Sequence, residues 1–137
     1  MGKNTFKTPL VVEVLPSGKT FKLHFSFVYL WKREHIEIQV RAGFVTDFAS
    51  IPRIVRIFIS KLGRYNKAAV IHDAMYQDNY ETLNTCTRHC PFTRKDADLI
   101  FLDAMKDGGT KKWKATAMYL AVRAFAWLAW RKREVSW

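Results

Sequence analysis

Cysteine is scarce in this 137-residue chain: only Cys86 and Cys90 occur. Two are too few for the disulfide framework of a small secreted domain, and they suit a reducing compartment. No apolar stretch follows Met1 in the manner of a secretory signal, and Phe6 stands where a myristoylation site wants Ser or Thr. Synthesis and residence in a cytoplasm are therefore expected. Long apolar runs are missing as well. The most apolar segment, Ala115 to Trp130, is shorter than the roughly 20 residues that cross a bilayer and carries Arg123 near its middle, so it reads as a buried or interfacial helix. Neither an internal repeat nor a low-complexity tract is present, and 137 residues fit one domain with a real core.

Acidic residues are also in short supply, 12 against 23 Lys and Arg, for a net charge of +11. Such an excess draws a protein toward nucleic acid or anionic lipid. Its cations are concentrated: Lys111, Lys112, Lys114, Arg131, Lys132 and Arg133 bracket the last expected helix. They form either a solvated face that aids solubility or a surface for an anionic partner.

What is present reads as α+β: an antiparallel three-stranded meander over about residues 8–41, then a bundle of about four helices. The β part takes residues 1–43 and the helical part 50–133 of a single domain. Pro9 to Leu15 is the first strand, and Pro16-Ser17-Gly18-Lys19 a turn. Phe21, Leu23, Phe25, Phe27 and Tyr29 alternate with Lys22, His24, Ser26 and Val28, giving a second strand with an aromatic face; Ile36, Ile38 and Val40 give the third. After Gly43 the period changes to 3.6. Ser50 can cap a first helix with Pro52 in its opening turn and a stripe of Ile54, Val55, Phe58, Ile59 and Leu62. A second runs from Tyr65 or Asn66 to about Gln77, and 78–92 is a loop. Thr93 opens a third, with Asp96 completing a capping box and Gly108-Gly109 ending it. The last covers Lys112 to about Lys132.

The segment from Ala68 to Tyr76 carries the most chemical information, because it sets His72, Asp73 and Tyr76 in an otherwise apolar helix of small residues. Spacings of three and four put them on one side. Asp98 lies beside the buried stripe of the third helix, where an unpaired carboxylate is costly, so it should have a donor such as His72 or Tyr76. A carboxylate behind His72 would orient it as a general base. Thr46, Asp47 and Ser50 either serve a tight turn and an N-cap or, for Asp47, supply a metal ligand beside His72. Arg123, alone in an apolar helix, either stacks on Tyr119 and Trp127 or reaches Asp47, Asp73 or Asp98. Such a pairing would make the cluster a buried structural network. Cys86, His89 and Cys90 offer three soft ligands within five residues, but a zinc site wants a fourth.

The pattern His-Asp-x-x-Tyr followed by Ala-Asp-x-x-Phe, within residues 68–101, resembles phospholipase A2, especially the compact version in parvovirus capsid proteins. That resemblance implies water activation by His72, orientation of His72 by Asp98 and Tyr76, and calcium binding by Asp73. The chain departs from it in having only Gly63-Arg64-Tyr65-Asn66 where a glycine-rich calcium loop belongs, and Ala68, Ala69 and Met75 where the secreted enzymes have flanking cysteines. A wider set of motifs runs from about residue 43 to 127. It comprises Gly-Phe-x-Thr-Asp-Phe-Ala-Ser-Ile-Pro, Ala-Ala-x-x-His-Asp-x-x-Tyr, the stretch Arg94 to Phe101 and the stretch Tyr119 to Phe125, and it resembles the phage and prophage family known as domain of unknown function 1353. That family brings no established activity.

Two functions follow as expectations. One is a small hydrolase of lipid or other esters using His72, Asp98 and Tyr76, with a divalent cation, calcium ahead of zinc, at Asp73 and Asp47. The other is a non-catalytic phage accessory or virion-associated protein whose basic surface meets anionic lipid, nucleic acid or another phage protein. Catalysis requires that the imidazole and the acid meet at a spot open to small molecules. Full pairing in a sealed interior argues against it.

Overall fold

Alternation of side chains between two faces organises the first half of the chain, as a computed structural model describing residues 6, 8–18, 20–46, 66–77, 80–82 and 92–127 makes plain. Strand β3 (Phe27–Trp31) buries Phe27, Tyr29 and Trp31, and β4 (Ile36–Val40) buries Ile36, Ile38 and Val40, the period-two pattern of a sheet with one face on the core. The two pair antiparallel from Phe27 opposite Val40 to Trp31 opposite Ile36. Strands β1 (Val12–Val14), β2 (Phe21–Leu23) and β5 (Val45–Thr46) make a second small sheet in the order β1-β2-β5.

The expected strand from Phe21 to Tyr29 is thus divided between two sheets. Its register survives the division: Phe21 lies opposite Thr46 and Phe27 opposite Val40, six residues further along one arm and six back along the other. Between them the backbone bulges. Leu23 N–H donates to Phe44 O at 2.8 Å, while Leu23 O accepts from Gly43 N–H at 2.7 Å, so two residues face one. Gly43 takes φ +92° there, a conformation open to glycine at little cost. Thr8 fastens the bend, its hydroxyl accepting from Val28 N–H at 3.0 Å. The consequence is local: Phe25, assigned by alternation to the aromatic face, is 58 % exposed.

The expected loop 78–92 contains a short strand, β6 (Glu81–Thr82), on the far side of β4. Two residues have no periodicity to read, and pairing with Ile38 and Gln39 creates the strand. The first strand contracts to Val12–Val14, whose residues are all exposed.

Three helices stand among the described residues, α1 (Asn66–Tyr76), α2 (Arg94–Asp107) and α3 (Lys112–Phe125). They do not support a four-helix bundle, and the expected helix from Ser50 to Leu62 lies outside the described residues. Helix α1 is buried all round, every residue from Ala68 to Tyr76 being inside. Thr93 and Asp96 form the capping box at the start of α2. At its end Gly109, at φ +96°, lets Thr110 N–H reach Met105 O and its own N–H reach Lys106 O, a Schellman closure. Helix α2 packs against both α1 and α3 and reaches β3, and one hydrophobic core joins sheet and helices. No helix among the described residues is long and apolar enough to cross a membrane.

Candidate functional site

Helix α1 carries His72, Asp73 and Tyr76 into the interior because its alanines at 68, 69 and 74 let α2 approach closely. Across that interface Asp98 of α2 receives them. His72 Nε2 lies 2.7 Å from Asp98 Oδ1, and the Tyr76 hydroxyl donates to the same oxygen at 2.7 Å. Arg123 of α3 donates from Nη1 to the other oxygen, Oδ2, at 3.0 Å. One carboxylate therefore gathers donors from the helices on both its sides. His72 also lies against the rings of Tyr76 and Phe101, with centroids 4.3 and 4.8 Å away.

Burial and pairing compete at Asp98. Burial raises the pKa of its carboxyl, but the hydrogen bonds and charge of His72, with the bonds from Tyr76 and Arg123, outweigh that and hold it below the usual carboxylate range. Asp98 is thus an acceptor on both oxygens, and His72 presents a proton at Nε2. The Tyr76 hydroxyl is pushed far up by burial and by the neighbouring Asp98 charge, so it remains a donor.

Asp73 faces a different set of partners. Thr46 of β5 donates to its Oδ2 through the side-chain hydroxyl, and Gln77 Nε2 donates to the same oxygen at 2.7 Å. Thr46 thereby ties the small sheet to α1, beyond the turn-forming role its position suggests. Thr46 and Gln77 both act as donors to this oxygen. Among the described residues no three His, Cys, Asp or Glu side chains are grouped to hold a metal ion.

The site is closed. His72 and Asp98 are 0 % exposed and Asp73 1 %, while the Arg123 side chain keeps 33 % of its surface. Of the two possibilities for Arg123, the carboxylate Asp98 is its partner. Asp47 and Ser50 lie outside the described residues, as do Cys86, His89, Cys90, Arg131, Lys132 and Arg133. Lys111 and Lys112 are exposed and Lys114 half-buried, its Nζ 5.6 Å from the centre of the Trp113 ring.

Two contributors escaped the sequence reading. Gln77 reads in the sequence only as a helix end, yet its side chain holds Asp73. Arg94 donates from Nη2 to the carbonyls of Val122, at 3.3 Å, and Arg123, gripping the last turn of α3 beside the residue that pairs with Asp98. Its position four residues before Asp98 was the available signal, since that spacing puts both on one helix face.

A family model described as a protein of unknown function, DUF1353, matches residues 21–122. The match starts before the motifs do and takes in both arms of the bent hairpin as well as α1 and α2. No curated protein and no solved structure matches the chain.

Proposed function

This chain belongs to the DUF1353 family, and we propose that it is a non-catalytic phage or prophage accessory protein that binds an anionic partner through its basic surface. In this reading His72, Tyr76, Asp98 and Arg123 form a framework that fixes the three helices. The observation that carries it is the closure of the cluster. A general base must come within hydrogen-bond reach of the proton it takes, directly or through one water, and an imidazole with no exposed surface offers a substrate no approach. Lys111 and Lys112, by contrast, stand in solvent. The reading carries with it synthesis in the host cytoplasm and a place in or on the virion.

One arrangement favours a second reading, a small ester hydrolase. His72 and Tyr76 share one oxygen of Asp98, the relation that the resemblance to phospholipase A2 implies for an oriented base.

One pair of measurements separates the two. His72→Asn and His72→Gln are compared with the parent for thermal stability and for hydrolysis of anionic and zwitterionic lipid esters, with calcium, with zinc and with chelator. The framework reading expects a lowered Tm in both variants and no hydrolysis by the parent. Hydrolysis by the parent that vanishes in a variant of unchanged Tm overturns it in favour of the enzyme.

A further inference from the structure

Helix α3 has two apolar sides. Ala115, Met118, Val122 and Ala126 face the core. Trp113, Ala117, Leu120, Ala124 and Trp127 face outward, with Trp113 67 %, Leu120 59 % and Trp127 46 % exposed and both alanines in solvent. The outward residues follow one another at intervals of four, three, four and three. At 3.6 residues per turn the four within the helix, Trp113, Ala117, Leu120 and Ala124, fall within about 60° of one another, roughly opposite the buried set. Scattered exposed apolar residues are ordinary, but a continuous stripe that begins at a large exposed ring is a contact face.

Charge decides what covers it. From Gly108 to Arg133 the sequence has no Asp or Glu, and basic residues stand at both ends of this stretch, Lys111, Lys112 and Lys114 before the stripe and Arg131, Lys132 and Arg133 after it. A second copy laid parallel along the stripe would set Lys111, Lys112 and Lys114 against their counterparts, with no acid on that helix to answer. The first turn of α3 adds to this. It has no acidic residue, and Lys111 at the N-cap makes no side-chain capping bond, so cations sit at the end of the helix dipole that favours anions. A surface that is apolar within and negative at its rim relieves both conditions. Trp is at home at such a boundary, with its ring in the acyl edge and its N–H among the headgroups.

We propose that the outward face of α3 docks on an anionic bilayer surface, Trp113 and Leu120 entering the acyl boundary while Lys111, Lys112 and Lys114 meet the headgroups. The helix lies in the plane of the interface, as an amphipathic helix with a basic border does. The inference rests on the binding reading only in requiring an anionic partner, and it names lipid as that partner.

The full chain is titrated with vesicles of phosphatidylglycerol and phosphatidylcholine, with vesicles of phosphatidylcholine alone and with duplex DNA, following tryptophan emission and co-sedimentation. Expected are a blue shift and binding to the anionic vesicles alone, weakened when salt is raised to about 0.5 M. Trp113→Ser with Leu120→Gln changes only exposed side chains, so folding should survive while vesicle affinity falls at least about tenfold. Lys111→Glu with Lys112→Glu should weaken binding to the anionic vesicles as well.

Parental affinity in the Trp113→Ser, Leu120→Gln variant overturns the proposal. So does a dimer of the parent that this variant converts to monomer, because a second copy then owns the face. Binding to DNA without binding to vesicles defeats the membrane inference and leaves the anionic-partner reading standing. Failure to bind either defeats both.

Discussion

Helix α2 carries two clusters built around acids, and they differ in where their donors come from. Asp98 collects His72, Tyr76 and Arg123 from the two helices beside it and is wholly buried. Five residues further on, Asp103 collects from β3 and the turn that follows it: Trp31 Nε1 at 2.7 Å and Arg33 through two bonds of 2.8 and 2.9 Å. Its side chain keeps 17 % of its surface and that of Arg33 49 %. Asp107 continues the row, accepting from the Tyr29 hydroxyl at 2.7 Å. The same residue type on the same helix thus clamps helix to helix in the dry interior and helix to sheet at the wet edge. Solvent, more than bond count, should set what each contributes.

The sharpest way to break the comparison is Asp98→Ala. It strands a partly buried guanidinium and two buried donors, and removal of one partner of a buried pair costs about 3–5 kcal/mol. Urea unfolding should show a loss of unfolding free energy of that size; a loss near that of a surface substitution would mean the cluster is relaxed by water. Acid titration tests the same contrast more gently. Both Asp98 and Asp103 are held below the usual carboxylate range, in each case by hydrogen bonds and charge that overcome burial: His72, Tyr76 and Arg123 for the first, Arg33 and Trp31 for the second. Their stabilisation is complete above the unfolded carboxyl value of about 4 and disappears as pH falls through the lowered folded values. Chemical denaturation followed downward from neutral pH should therefore fall steeply below about 4 in the parent and less steeply in Asp98→Asn. Equal slopes would remove Asp98 from the acid response. The smallest effect is expected for Asp103→Asn. It keeps an acceptor for Trp31 and sits partly in water, so a loss of about 1 kcal/mol is expected by the same urea measurement. A larger cost than that of Asp98→Ala would invert the comparison.

Much of this was legible because it is local or periodic. Alternation located β4 and the start of β3, the spacing of Thr93 and Asp96 located the cap of α2, and the isolation of Arg123 in an apolar helix left an acid as one of its two expected partners. Asp98 stood out because its place beside the buried stripe demands a donor. Asp103 and Asp107 did not, since acids on the polar side of a helix look solvated until a sheet arrives to bond them. The break at Phe25 and the strand at Glu81 were hidden for a related reason. Both depend on residues distant in sequence: the break on Gly43 and Thr8, the strand on β4. Thr46 could be placed at a turn but not at Asp73, because only the folded chain brings β5 against α1.

The bend in the long hairpin, with its unchanged register on either side, works like a reading frame. Removing one residue between Leu23 and Phe27 would turn β3 over, sending Phe27, Tyr29 and Trp31 outward and Val28 and Leu30 into the core. Length can change there only by compensated steps on both arms, so descendants of this chain should show insertions and deletions at the bend in matched pairs, while the tip between β3 and β4 varies in length on its own.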